Sequence, residues 1–270
     1  MAVEGWLGQG RTSRRDADLA ESPAAGSDGP ETLFFVHIPK CAGSSFRQVL
    51  KRWFGENALF IDTHDGAVLA KAVGQRPSAP RGIAGHMPFG LHEGLPLRPC
   101  YVSLVRHPLD RFVSFYRHAR RTSDHPLHPA AARLGLEDFY DFSLQDERAR
   151  GSTVGVQCFF LSRSRGFEPA RAVIDRRYAL LAPTERYGEF VAALADRFDR
   201  QPPELPPRNV GDAGPDGLEA ARASLGERIR TDHAEDLRLF TYVCETFEAR
   251  RAACRSRSPP DRSGPNRNAP

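Results

Sequence analysis

The feature that most constrains the fold is the segment Thr32–Phe54, TLFFVHIPKCAGSSFRQVLKRWF. Its first part, LFFVHI, is a short continuous apolar run, which is typical of a strand buried on both faces of a parallel sheet. A loop of small residues from Ala42 to Ser45 follows, and the apolar residues after it recur at helical spacing. A strand, a small-residue loop and a helix in this order predict a backbone cradle for an anion where the helix begins.

The lysine of this segment precedes the small residues. A Walker loop, G-x-x-x-x-G-K-[ST], has its lysine at the end, and this pattern is absent, so a Walker nucleotide site is not predicted. Lysine is rare in the chain, since Lys40, Lys51 and Lys71 are the only three among 38 basic residues. A lysine beside the loop is therefore a specific choice, because its compact charge fits beside a single oxygen. The pattern from Ser45 to Gln48 fits a capping box and predicts that the helix begins there.

Strand and helix patterns alternate along the rest of the folded region. Strands are predicted within 82–86, 100–105 and near 178–182, and helices from Pro108 onward and over 233–252. This order predicts an α/β fold with a mostly parallel central sheet covered by helices on both sides.

The composition changes at both ends of the chain. Residues 1–31 have little periodicity, and 251–270 are low in hydrophobicity and rich in Pro, Ser and Arg, so both are predicted to be disordered. The folded domain is predicted over 32–250. The Arg-Ser tail leaves an RNA-binding function open, but a solvated terminus explains it more simply, and no nucleic-acid partner is expected.

Cysteine usage and hydropathy bear on the compartment. The five cysteines are scattered, with no C-x-x-C pair and no Cys/His cluster that would suggest zinc. No apolar run approaches the ~20 residues of a membrane span, and no secretory leader is recognisable. We therefore expect free thiols, no membrane span and a cytoplasmic location; the oligomeric state is not predicted.

A second segment, YVSLVRHPLDRFVSFYRH, repeats the strand-then-helix pattern. Arg106 follows the buried strand, and Ser114 comes eight residues later in the helix. An arginine at a strand end with a serine on the next helix is a suitable clamp for a second phosphate. Arg111, Ser114 and Arg117 are spaced three apart, which predicts one polar side distinct from the apolar stripe.

Together the two segments resemble the binding motifs of sulfotransferases. HIPKCAGSSFRQVL resembles their 5′-phosphosulfate loop, P-K-x-x-G-[ST]-[ST], and LVRHPLDRFVSFY resembles their 3′-phosphate element. The resemblance is to the carbohydrate type, in the branch of heparan and uronyl 2-O-sulfotransferases and their bacterial relatives. It covers about 32–250 and implies a P-loop NTPase-like three-layer sandwich.

The resemblance implies transfer of a sulfuryl group from 3′-phosphoadenosine 5′-phosphosulfate (PAPS) to a hydroxyl of a saccharide or small-molecule acceptor, with no metal. Lys40 would stabilise the leaving phosphate oxygen. The 5′-phosphate would be bound by the loop residues Ala42, Gly43, Ser44, Ser45 and Phe46. Arg106 and Ser114 would bind the 3′-phosphate. A nucleotide kinase or NTPase on a related fold is the alternative.

The acceptor needs a base, and His86 is the candidate. It ends a predicted strand, and an imidazole with a pKa of about 6.5 suits proton removal near neutrality. The resembling branch has two histidines here, H-G-H, whereas this chain has Ala84 at the first position. His92 is a possible auxiliary. His37, His64 and His107 are expected to be structural or donor-adjacent. Gln157 is kept from the related pattern, but the asparagine before it is not.

Overall fold

A computed structural model describes residues 31–204 and 215–256, with no side chains described for 215–217. Most of the predicted disordered ends, 1–31 and 251–270, lies outside these ranges. No helix in the described ranges is long and apolar enough to cross a membrane.

Five strands form one sheet in which every neighbouring pair is parallel. They are β1 (Glu31–Val36), β2 (Ala58–Phe60), β3 (Gly82–Gly85), β4 (Arg98–Val105) and β5 (Tyr178–Pro183). The spatial order is β2-β3-β1-β4-β5. Helices flank this sheet, so the predicted α/β fold with a parallel central sheet is confirmed.

Eleven α-helices are present in the described ranges. They are α1 (Gly43–Phe54), α2 (Gly66–Gly74), α3 (Pro108–Arg121), α4 (His128–Arg133), α5 (Leu136–Gln145), α6 (Glu147–Gly151), α7 (Val156–Ser162), α8 (Phe167–Arg177), α9 (Tyr187–Arg197), α10 (Pro215–Asp232) and α11 (Ala234–Ser256). Short 3₁₀ turns lie at Gly55–Asn57 and Thr184–Arg186.

Strand β1 is buried on both faces, as its continuous apolar run predicts. Phe34 packs against Tyr101 with ring centroids 4.9 Å apart. Phe35 points the other way and packs against Phe46 of α1 at 4.6 Å, and Phe46 in turn contacts Phe190 of α9. Because successive side chains alternate across a strand, β1 joins two halves of the core.

The folded region extends slightly beyond 32–250 at both ends. Glu31 begins β1 and accepts two hydrogen bonds from Arg197, at 2.6 and 3.0 Å. Helix α11 continues to Ser256, and Arg255 pairs with Asp196 at 2.7 Å. These ion pairs hold both ends of the described fold against α9.

The central position of β1 determines where a ligand can bind. The chain passes from β1 to the edge strand β2, returns to β3 beside β1, and then crosses to β4 on the other side. In open α/β sheets, ligands bind outside the carboxyl ends of strands where the order reverses in this way. That crevice lies at the ends of β1 and β4, which are aligned by the pairing of Val36 with Ser103.

Candidate functional site

The loop after β1 has an unusual backbone. Lys40 and Ala42 both have positive φ values, 68° and 56°, although neither is glycine. Helix α1 begins at Gly43, and Ala42 is its N-cap without any side-chain hydrogen bond. The predicted capping box at Ser45 is therefore wrong. The helix begins two residues earlier because the left-handed turn at Ala42, and not a serine side chain, starts it.

The start of α1 presents unsatisfied N–H groups. Phe46 N–H reaches the Ala42 carbonyl at 3.3 Å. Within the described ranges no acceptor is assigned to the N–H groups of Ala42, Gly43, Ser44 and Ser45. The first N–H groups of a helix have no intrahelical acceptor and carry the positive end of its dipole. Ser44 is exposed and Ser45 half-buried, so this end of the helix can receive an anion.

Gly43 is required by a histidine packed against it. A Cβ at this position would lie 1.8 Å from Cδ2 and 1.9 Å from Nε2 of His37. The His37 ring is buried, and no hydrogen-bond partner is assigned to its Nδ1 among the described residues. The glycine of the loop thus makes room for an imidazole directly behind the free N–H groups.

The second predicted segment meets this loop. Arg106 follows β4, and its Nη1 donates to the carbonyl of Lys40 at 3.4 Å. Its own backbone is paired with the side-chain amide of Gln157. Ser114 lies half-buried on α3. The structure therefore brings Lys40 and Arg106 together at the end of the sheet.

Arg111 differs from its predicted position. It was expected on a polar side of α3 with Ser114 and Arg117, but it is fully buried. Its Nη2 donates to the carbonyls of Ser152 and Thr153 at 3.1 and 2.8 Å. Spacing alone cannot distinguish an exposed arginine from one that ties a helix to a neighbouring turn.

Positive charge is concentrated around Lys40. Burial, with the nearby cations Arg121 and Arg106, lowers the pKa of Lys40 from 10.5 to about 8. The charge of Lys40 also acts on His118 and His125, whose pKa values are lowered mainly by burial. No pattern in the sequence places Arg121, His118 or His125 near Lys40, because they follow it by some eighty residues. A bound anion would offset the mutual repulsion of Lys40, Arg106 and Arg121.

His86 lies beside the loop at the end of β3. Its backbone N–H donates to Oδ1 of Asp62 at 2.8 Å. Its Nδ1 lies 2.8 Å from the carbonyl of His37. A carbonyl only accepts, so Nδ1 carries the proton, and Nε2 is the basic nitrogen of the neutral ring. The rings of His86 and His37 stack with centroids 4.0 Å apart.

The electrostatics of these two histidines keep both neutral. Burial lowers the pKa of His86, against the opposing effect of the Asp62 carboxylate. Burial, with the charges of His86 and Arg47, lowers the pKa of His37 to about 2. A neutral imidazole with its Nε2 lone pair is the form that can accept a proton.

His92 lies on the opposite side of the sheet from His37 and His86. His92, the possible auxiliary, is buried with Phe34, Phe89 and Tyr101 and hydrogen-bonds the Tyr101 hydroxyl. It lies on the Phe34 side of β1, whereas His37 contacts Phe35 on the opposite side. An auxiliary role for His92 beside His86 is therefore wrong.

His64, which was expected to be structural or donor-adjacent, lies near His86. It is exposed after β2 and packs against Phe159 and Phe160, and Phe160 also contacts His86. The charge of His86 acts on the pKa of His64. His64 follows β2, which pairs with β3, so it lies at the same sheet edge as His86. His107 instead packs against Phe240 of α11.

A recess opens beside the start of α1. Its empty volume is about 350 Å³ including its open mouth, and its lining includes Ser45, Gln48, Arg52, Tyr187 and Pro203. The Tyr187 hydroxyl is buried, and no partner is assigned to it among the described residues. Because Ser45 belongs to both features, the recess continues from the exposed N–H groups along α1.

Within residues 31–204 and 215–256, no three His, Cys, Asp or Glu residues are grouped to hold a metal ion. Cys41, Cys100, Cys158 and Cys254 are buried thiols outside any disulfide, and Cys244 is an exposed one.

Comparisons with known proteins found a matching family model and similar solved structures. The model of a family described as "Sulfotransferase family" matches residues 27–157, which contain the loop after β1, His86, Arg106 and Gln157. A solved structure described as a sulfotransferase from Alicyclobacillus acidocaldarius is similar, with a TM-score of 0.47 and 15% identity, over 79% of this chain and 96% of that one. No curated protein matches significantly.

Proposed function

Because the model of the sulfotransferase family matches residues 27–157, we propose that the chain is a sulfotransferase that transfers the sulfuryl group of PAPS to a hydroxyl of a saccharide or small-molecule acceptor. The proposed catalytic domain is the region predicted at 32–250, and the proposed location is the cytoplasm.

One observation carries this proposal. The hydrogen bond from Arg106 Nη1 to the Lys40 carbonyl, at 3.4 Å, joins a helix start with available N–H groups to a second cationic element. A donor with phosphates at both ends of its ribose needs two such sites at a fixed spacing. A nucleoside triphosphate with magnesium would instead need acidic metal ligands.

The donor's phosphates match the residues in type. The N–H groups of Gly43, Ser44 and Ser45, with the two serine hydroxyls, would bind the 5′-phosphate. Arg106 would bind the 3′-phosphate, with Ser114 as a further donor. The base of the nucleotide would enter the recess beside Ser45, whose lining includes Tyr187.

The proposed reaction is an in-line displacement at sulfur. The acceptor oxygen bonds to sulfur, the bond from sulfur to the bridging phosphate oxygen breaks, and adenosine 3′,5′-bisphosphate leaves. Lys40 stabilises the charge that develops on that oxygen. The acceptor's proton passes to Nε2 of His86, which the Nδ1 contact to His37 leaves basic.

Binding measurements test the donor assignment. Calorimetry with adenosine 3′,5′-bisphosphate, adenosine 5′-phosphate and ATP with magnesium should give the tightest binding for the bisphosphate. Transfer of labelled sulfate from PAPS should then be measured over a panel of hydroxyl-bearing acceptors. Tight binding of ATP with a magnesium requirement, and none of the bisphosphate, would replace the proposal with a kinase or NTPase.

Lys40→Ala provides the second test of the proposed reaction. The variant should lose most turnover with every acceptor, because the leaving oxygen loses its cation. Lys51→Ala is the matched control, since Lys51 is exposed on the same segment's helix. Equal turnover in the two variants would contradict the role of Lys40.

A further inference from the structure

Gln157 is fully buried at the start of α7, and both polar atoms of its side chain hydrogen-bond the backbone of a single residue. Its Oε1 accepts the backbone N–H of Arg106 at 3.0 Å, and its Nε2 donates to the Arg106 carbonyl at 2.9 Å. This reciprocal pair satisfies both backbone groups of the residue that follows β4. It therefore restricts the direction in which the Arg106 side chain can leave the backbone.

The same amide also reaches the loop after β1. The Cys41 thiol donates to Oε1 of Gln157 at 3.6 Å. Burial raises the pKa of Cys41 to about 12, so the thiol keeps the proton that this contact uses. Cys41 lies between the two residues with positive φ, Lys40 and Ala42. One oxygen of Gln157 thus touches both of the elements that are proposed to hold phosphates.

Gln157 is itself held from a distant part of the chain. Asp236, fully buried at the start of α11, accepts the backbone N–H of Gln157 at 3.4 Å and that of Cys158 at 3.0 Å. These are N–H groups of the first turn of α7, so Asp236 caps that helix. The side-chain amide of Gln157 is therefore held by its own hydrogen bonds to Arg106 and by the contacts of Asp236 with the start of α7.

We propose that Gln157 is a positioning residue that holds Arg106 and the loop after β1 at the spacing of the donor's two phosphates, and so determines the preference for a 3′-phosphorylated nucleotide. The inference rests on the proposed function, since it takes Arg106 as the 3′-phosphate ligand. Gln157 is buried beneath both elements and acts through Arg106 and Cys41.

The test compares two ligands that differ only in the 3′-phosphate. The dissociation constants of adenosine 3′,5′-bisphosphate and adenosine 5′-phosphate are measured by calorimetry for the wild type and for Gln157→Met. Methionine is of similar size but has no amide. We expect the preference for the bisphosphate to fall by about tenfold or more, because a charge-assisted contact of that order depends on the placement of Arg106.

A double-mutant cycle separates positioning from general destabilisation. Once Arg106→Ala has removed the contact, adding Gln157→Met should not change the preference further. Ser162→Ala is the matched control, because Ser162 is also buried on α7 and donates to the Cys158 carbonyl at 2.9 Å. It should leave the preference unchanged.

The possible outcomes have distinct meanings for the positioning role and for the proposed function. Equal weakening of both ligands by Gln157→Met, or a further loss of preference in the double mutant, would overturn the positioning role. Should the methionine variant not fold, Gln157→Glu, which keeps the size but loses the donor to the Arg106 carbonyl, takes its place with the same expectation. A wild type that binds neither nucleotide would overturn the proposed function itself.

Discussion

The charge state of Lys40 depends on its burial and on the cations around it. Its pKa is lowered to about 8 by burial and by Arg121 and Arg106, so the free protein loses this charge as the pH rises above 8. A bound bisphosphate favours the charged form and raises the pKa again. We expect the affinity for adenosine 3′,5′-bisphosphate to fall by up to about tenfold per pH unit above 8, with uptake of a proton on binding.

This linkage is measured by calorimetry at pH 8.5 to 9 in two buffers with different ionisation enthalpies. Lys40→Met removes the titrating group and should abolish both the proton uptake and the steep pH dependence. Lys51→Met leaves Lys40 in place and should retain both. An affinity that is constant from pH 7 to 10 would show that Lys40 does not face the bound anion.

His86 permits a prediction that separates turnover from binding. His86→Ala should lower turnover by roughly 10²–10⁴, the usual contribution of a general base. Binding of adenosine 3′,5′-bisphosphate should stay near the wild-type value, because the proposed donor contacts come from other residues. His92→Ala is a suitable comparison, since His92 lies on the opposite side of β1.

Parallel loss of turnover and nucleotide binding in His86→Ala would identify His86 as structural. A second measurement uses the pH profile of turnover. The pKa of His86 is lowered by burial, so the base is already neutral at pH 7, and turnover should not decline until the pH falls below the ordinary histidine range.

At the scale of elements, the contact between α1 and β1 depends on a missing side chain. A Cβ at Gly43 would lie 1.8 Å from the His37 ring. Gly43→Ala must displace either that ring or the start of α1, and should lower the free energy of unfolding by about 1–3 kcal/mol, as overpacking does. It should also weaken nucleotide binding. Urea unfolding and calorimetry measure the two effects.

Gly226→Ala is the matched control. Gly226 lies within α10, and a Cβ there would meet no atom within 4 Å. Alanine is the better helix former, so this variant should be more stable by about 0.4–1 kcal/mol. A Gly43→Ala protein as stable and as tightly binding as the wild type would mean that His37 moves aside at little cost.

The elements also show which patterns predict structure. The run LFFVHI predicted β1 correctly because a central parallel strand is apolar on both faces. Strand β2 was not predicted, since three half-buried residues give neither a run nor an alternation. The start of α1 was misplaced because a left-handed Ala42 leaves no side-chain signature, whereas Ser45 and Gln48 imitate one.

The sequence also predicts the positions of some site residues and not of others. Lys40, His86 and Arg106 follow strands in sequence, so the rule that carboxyl ends of parallel strands share one edge predicted that they meet. Arg121 and His125 approach Lys40 only through the path that the chain takes along α3 after Arg106. Gln157 was recognised in the sequence, but its pairing with the Arg106 backbone depends on tertiary contacts that no local pattern encodes.

At the scale of the molecule, the ion pairs of the ends define a minimal protein. Glu31 contacts Arg197, and Arg255 contacts Asp196. A protein consisting of residues 31–256 should bind adenosine 3′,5′-bisphosphate and turn over substrate like the full chain, because every proposed site residue lies within it. Calorimetry and labelled-sulfate transfer measure this. Loss of function on removing 1–30 and 257–270 would favour the RNA-binding alternative for the arginine-rich ends.

The cap that Asp236 places on α7 has a consequence for synthesis. A chain emerges from the ribosome with its N-terminus first. Helix α11 therefore emerges after the loop that follows β1, after Arg106 and after Gln157. Until Asp236 arrives, the N–H groups of Gln157 and Cys158 have no partner from that helix, and the spacing of the two phosphate sites is not fixed. A nascent chain should therefore gain its nucleotide affinity only after the segment that contains Asp236 has left the exit tunnel, so nucleotide binding to ribosome-bound chains of increasing length should begin when α11 emerges.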